Sequence, residues 1–245
     1  MTVNRYIVIT CAILHREICH CVAKSKNIVD IILQEKGLHD LQSEKMSGIL
    51  QEVIDNIDCS RYDALLLGYG LCNNGLVNLH APIPMVLPRA HDCITLLMGT
   101  KESYDKYFAE NPGTYFKSSG WLERNFSERE DSIAQQLGMY KSYEGLVEEF
   151  GEDNADYLQS ILGNWMSNYK KLAFINNGIG NVEGNRMTSQ AYAEEKNWEY
   201  EEVQGDNRLI EKLIDGDWDE QEFLVVPPGS KIVASHDGGV VKFEH

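Results

Sequence analysis

Several short stretches of this chain are apolar from end to end, and they limit its fold more than any other feature. In residues 5–10, Tyr6, Ile7, Val8 and Ile9 follow one another without a polar break, and residues 62–67, apolar from Ala64 on, and 84–87 have the same character. A strand that is apolar on both faces is covered on both, as in a parallel sheet flanked by helices. The intervening sequence supplies those helices. One long helical stretch runs to Lys36, carries Ile28, Ile31 and Ile32 at helical spacing, and stops at Gly37. A second, residues 43–57, puts Met46, Ile49, Leu50, Val53, Ile54 and Ile57 on one face.

The rhythm resumes after Lys170. Strands are expected at residues 172–175, 198–203 and Phe223–Val226, and helices at 187–196 and 209–214. Between the two stretches, residues 100–168 look helical and are rich in aromatic side chains, among them Tyr104, Phe108, Phe116, Trp121 and Trp165. The expectation is an α/β fold: a mostly parallel sheet in two Rossmann-like halves, residues 1–99 and 169–245, with a helical insertion at 100–168. The aromatic insertion suits a packed core, a lid over the sheet edge or an oligomer interface.

A chain of 245 residues buries roughly 70–75% of its unfolded surface, so a metal is not needed as a staple. Its 38 acidic residues against 22 basic ones give a net charge of −16, which repels nucleic acids and anionic membrane surfaces. The longest apolar stretches are far too short to span a bilayer, and the first residues read as a strand rather than a signal core. A cytoplasmic protein is expected, whose six cysteines are reduced thiols.

Three of these cysteines fall at strand ends. Cys11 follows the first strand, Cys72 lies in the loop after the second, and Cys93 comes shortly after the third. In an open parallel sheet the carboxyl ends of the strands share one edge, where ligands bind. The topology therefore gathers thiols that are 61 and 21 residues apart in sequence. Cys72 sits in the turn Gly68-Tyr69-Gly70-Leu71-Cys72-Asn73-Asn74-Gly75, whose backbone N–H groups can stabilise sulfur anions. Gly68, Gly70, Asn73 and Gly75 form the candidate cofactor cradle. Cys93 is expected at a helix N-terminus capped by Asp92, which also favours a thiolate.

Soft thiolate ligands select an iron–sulfur cluster or zinc, and without a Cys-x-x-Cys pair the spacing does not choose between them. His91 is a candidate fourth ligand or proton donor. Glu17, about one and a half helical turns below Cys11, is a candidate general acid/base, and Arg89 a candidate anchor for an anionic substrate. Against a shared site stands the common fate of a single cysteine, a small apolar filler. Cys19, His20 and Cys21 fan around a helix and are expected to be structural, as is Cys59. Neither Gly68-x-Gly70 nor Gly178-x-Gly180 completes a dinucleotide fingerprint.

Four segments resemble the domain-of-unknown-function family 1638. They are Cys11-x-x-Leu14-x-x-Glu17, Gly68-Tyr69-Gly70-Leu71-Cys72-x-x-Gly75, the run from Leu87 through Cys93 to Gly99, and Val226-Pro227-Pro228-Gly229. The likeness spans nearly the whole chain. It implies the setting of methanogens and anaerobic bacteria, often beside corrinoid-dependent methyl-transfer proteins, and it picks out Cys11, Glu17, Cys72, His91 and Cys93. The family has no established activity. Together these readings anticipate a metal or iron–sulfur protein of anaerobic one-carbon or sulfur metabolism acting on a small molecule. The rival is a non-catalytic accessory that binds a metal or corrinoid and serves a methyltransferase.

Overall fold

The computed structural model describes residues 2–124, 143–152, 154–156, 168–235 and 238–245. Its apolar runs are its central strands. The first strand, β1 (Arg5–Cys11), is buried along six of its seven residues. After α1 (His15–Lys24), β2 (Ile28–Gln34) pairs with β1 in parallel. The chain then crosses through α2 (Ser43–Asp55) to β3 (Ala64–Gly68), parallel to β1 on its other side, and on to β4 (Met85–Pro88), parallel to β3. Every residue of β3 and β4 is buried. α2 buries Met46, Leu50 and Ile54 in the same core.

Beyond β4 come α3 (Cys93–Met98) and α4 (Lys101–Glu110), then a second, three-stranded parallel sheet. It consists of β5 (Thr114–Ser118), β6 (Lys171–Asn176) and β7 (Glu199–Gln204), in that order. Among the described residues, the helices α5 (Ser119–Glu123) and α6 (Tyr143–Phe150) lie between β5 and β6 in sequence. The helix α7 (Val182–Lys196) makes the crossover from β6 to β7. α8 (Arg208–Asp215) leaves this sheet and returns to the first, packing on α1, β3 and β4 through Leu209, Ile210, Leu213 and Ile214. The chain then completes the first sheet with β8 (Phe223–Val226), for a strand order β2-β1-β3-β4-β8. An antiparallel hairpin, β9 (Lys231–Ala234) and β10 (Val241–Glu244), ends it.

The α/β class and the mostly parallel sheet stand as expected, with three differences. Residues 28–34 form a strand rather than the end of a long helix. α1 stops at Lys24, and Asn27 holds the chain away from the helix axis by donating to the carbonyls of Ile214 and Asp215. Because β2 is an edge strand, half-covered along most of its length, its apolar residues need not alternate, and their spacing imitated a helix. β8 runs antiparallel to β4, not parallel. The aromatic insertion contains a strand, β5, that begins the second sheet. The helical reading holds at α4, α5 and α6, and its part on residues 125–142, 153 and 157–167, including Trp165, lies outside the described residues.

Candidate functional site

β1, β3 and β4 run in parallel, so Cys11, the turn after Gly68 and the turn after Pro88 all emerge at the same edge. Two backbone hydrogen bonds clasp the second and third of these turns, Leu71 N–H to Ala90 (2.8 Å) and Cys72 N–H to His91 (2.9 Å). The clasp needs glycine. A Cβ on Gly70 would lie 2.6–2.7 Å from the Asp92 backbone, and one on Gly68 would meet Thr10 Oγ1 at 2.5 Å. Gly75 makes the same kind of room for the Met46 side chain. These glycines let protein atoms approach, so the expected cofactor cradle is occupied by the fold itself. Asn73, the fourth residue of that cradle, is exposed.

The clasp also forces an unusual backbone. Cys72, Asn73 and Asn74 follow one another in the left-handed region, with φ of 46°, 55° and 63°. For a residue with a side chain such a conformation costs about 1–2 kcal/mol, less for asparagine. Strain of this kind concentrates where function demands a particular geometry. Here it turns the Cys72 sulfur toward the backbone N–H groups of Gly70 and Cys93, with which it forms hydrogen bonds.

The three cysteines share one electrostatic environment. Cys11 is 5% exposed, and Cys72 and Cys93 are partly buried. Burial, followed by the charges of Cys11 and Asp92, pushes the Cys72 thiol up to about 12. Burial, then Cys72, Asp92 and Cys11, raises Cys93 well above the ordinary thiol value. The expected lowering by helix and loop dipoles does occur at Cys72, but desolvation outweighs it. At neutral pH both thiols are therefore protonated when nothing is bound. Between the cysteines lies a group the sequence reading passed over. Tyr69, 3% exposed, has a buried hydroxyl without a hydrogen-bond partner among the described residues, and its ionisation is opposed by burial and by Cys11, Cys72 and Cys93 together. Its position between Gly68 and Gly70 was the only signal available in the sequence.

Asp92 caps α3 as anticipated, accepting from the N–H groups of Ile94 (3.0 Å) and Thr95 (3.2 Å), while its other oxygen accepts from the Tyr104 hydroxyl (2.9 Å). The remaining candidates stand further off. The His91 side chain is exposed. Arg89 donates to the carbonyls of Glu220, Phe223, Gly239 and Val241, which ties β4 to the C-terminal strands. That is a structural use, and it accounts for Arg89 without a substrate. Glu17 is 1% exposed, with one oxygen lacking a hydrogen-bond partner among the described residues; burial, then the charge of Glu123, raises its carboxyl to about 7. Its charge acts on Cys21 and Arg16. Cys19 is exposed and Cys21 buried, consistent with a run that fans around α1.

Cys93 also lines a cavity of about 320 Å³ between the two sheets, walled by Ile13, Leu97, Tyr104, Phe116 and Trp121. Among the described residues, no three His, Cys, Asp or Glu side chains are disposed as a ready-made metal-binding group. In donor type the trio fits a soft metal; in geometry the sulfurs must turn toward one another to share one, since zinc–thiolate bonds are only about 2.3 Å long. Among the described residues, no helix is long and apolar enough to cross a membrane.

No curated protein and no solved structure matches the chain. A family model described as "Protein of unknown function (DUF1638)" matches residues 33–214, a span that contains Tyr69, Cys72, His91 and Cys93 and leaves Cys11, Glu17 and Val226–Gly229 outside. The chain belongs to the DUF1638 family.

Proposed function

We propose that this chain is a metal- or iron–sulfur-dependent protein of the cytoplasm that acts on a small molecule, with Cys11, Cys72 and Cys93 as the ligands. One observation carries the reading: the parallel strands β1, β3 and β4 bring Cys11, Cys72 and Cys93 to one sheet edge around Tyr69, whose ionisation is opposed first by burial and then by all three cysteines. A bound cation would offset that penalty, because the thiols would release their protons to solvent and bind it as thiolates. Bound there with only three protein ligands, the metal centre supplies an open coordination position.

The chain's own residues then have distinct tasks. The N–H groups of Gly70 and Cys93 stabilise charge on the Cys72 sulfur. Tyr69 has a hydroxyl proton to offer a sulfur or a bound substrate. The cavity beside Cys93 admits the substrate and excludes bulk water. Methyl transfer with a corrinoid protein or methyltransferase partner is the reaction class that the family resemblance favours, and the visible absorption of a co-purified corrinoid checks it.

Anaerobic purification, with metal and acid-labile sulfide measured beside Cys72→Ser and Cys93→Ser variants, tests the reading. Stoichiometric metal in the parent, lost or strongly depleted in each variant, is the expected result, since each removes one of the three soft thiolate ligands. Iron with sulfide identifies a cluster, and zinc alone points to thiol or methyl chemistry. A parent protein that holds no metal after anaerobic reconstitution would sink the proposal.

A further inference from the structure

The five-stranded sheet ends on β2, and among the described residues no strand pairs with the outer side of β2. The parallel register with β1 fixes which backbone groups are left over. Ile28 N–H donates to the Asn4 carbonyl (2.9 Å), so the even-numbered residues of the strand turn their backbone groups to β1. The N–H and C=O groups of Val29, Ile31 and Leu33 therefore point away from the sheet, three donors and three acceptors in one row.

Such a row is a template for another strand, and natural sheets blunt it with charges, proline, short strands or a covering segment. Other edges of this molecule are treated in that way. β7 carries Glu199, Glu201 and Glu202, and β8 is only four residues long and lies beside β10. β2 runs for seven residues and holds neither proline nor lysine. Its one charged side chain, Asp30, is engaged by Arg5 (3.4 Å) and by the Tyr62 hydroxyl (2.7 Å). Ile28 is 50% exposed and Leu33 38%, and Val3, which precedes the partner of Ile28, is 55% exposed. An exposed edge that is long and apolar calls for a partner strand.

We infer that β2 pairs with β2 of a second copy of this chain, antiparallel about a two-fold axis at Ile31, so that two five-stranded sheets become one. The strand is complementary to itself in that register. Ile31 faces Ile31, Val29 faces Leu33, Asp30 faces Ile32 and Ile28 faces Gln34, so no like charges meet. The same register uses every outward backbone group, because Ile31 with Ile31 and Val29 with Leu33 become the hydrogen-bonded pairs of the new ladder. An axis at Asp30 would set two carboxylates opposite each other, and an axis at Val29 or Leu33 would shorten the ladder. The contact is isologous and closed, so pairing stops at two copies. A charge of −16 on each copy opposes their approach, which makes the pairing salt-dependent. Neither the thiols nor a metal enter this contact, so its failure and theirs are separate.

Sedimentation velocity of the full chain, over a range of concentrations and at low and high salt, tests the pairing. The parent is expected to run as a dimer, more completely at high salt. Leu33→Lys sets an ammonium against Val29 of the other copy, and Ile31→Pro removes the N–H groups of the central pair without touching the bonds to β1. Each should weaken association about tenfold or more while far-ultraviolet circular dichroism stays unchanged. Met187→Lys, on α7 and 62% exposed, should leave the dimer intact. Hydrogen exchange in the parent needs no variant, so a misfolded variant leaves the test decisive. The amides of Val29, Ile31 and Leu33 should slow as protein concentration rises, while those of Tyr200 and Glu202, which point outward on β7, should not. A parent that is monomeric at every concentration, a dimer that survives both β2 substitutions or is lost in Met187→Lys, or exchange at the three amides that ignores concentration would each overturn the assignment.

Discussion

The two sheets solve the same packing problem at different scales. The five-stranded sheet lies in one continuous core that draws on β1, β3, β4, α2 and α8, and its central strands are buried on both faces. The three-stranded sheet has a small second core of Leu172, Phe174 and Ala193, enlarged by the rings of Tyr115, Tyr192 and Trp198. Each region also buries one ionisable group at odds with its surroundings, Glu17 in the first and Lys117 in the second. The larger core supports strain and the thiol cluster at its edge. The smaller one relies on aromatic rings, which pack in fewer contacts and tolerate a cation over their faces.

The largest expected effect tests whether the smaller core is independent. Ile175 and Val203 of the second sheet belong to or pack on the main core. Phe174→Ala should therefore cost about 3–5 kcal/mol in one cooperative transition. Two separated transitions in calorimetry would show that the sheets unfold apart and would break the comparison.

Gly70→Ala is next. Its Cβ meets backbone atoms of Asp92, which cannot rotate away, so a loss of about 1–3 kcal/mol is expected with weaker metal binding at the thiol edge. Unchanged stability in urea unfolding would mean that the clasp is looser than the strained turn implies.

Two charge removals then sharpen the contrast with opposite pH windows. Burial, then the charge of Lys36, pushes Lys117 down to about 8 from 10.5. The unfolded chain binds the extra proton between those values, so parent stability rises with pH from about 8 to 10.5. Lys117→Met should stabilise the protein at pH 7 by on the order of 1–3 kcal/mol, a gain that fades through that window. Glu17, raised to about 7 from 4.5, acts in reverse: the native state binds the extra proton, and stability falls as pH rises from 4.5 to 7. Glu17→Gln should remove that slope and add about 1–2 kcal/mol above pH 7. Parallel pH profiles for parent and variant would show that the group is better solvated than its burial indicates.

Much of the fold was legible because buried parallel strands need uninterrupted apolar runs. Residues 5–10, 62–67 and 84–87 all mapped onto strands, and α2 began at Ser43 as its periodicity required. Of the four edge strands, β7 and β8 were legible and β2 and β5 were not. β2 and β5 are each covered unevenly, so their side chains obey neither alternation nor continuity, and both were read as helical.

The sequence by itself determined the class of fold and the meeting of the three cysteine-bearing turns, since parallel strands must end at one edge. Only the tertiary structure decided what those turns contain. Desolvation and mutual repulsion set the thiols against ionisation, Tyr69 is enclosed among them, and Arg89 is committed to four carbonyls. It also decided that, among the described residues, no carboxylate pairs with Lys117. Strand topology follows from local pattern, whereas solvation and pairing depend on neighbours distant in sequence, and no local pattern encodes those.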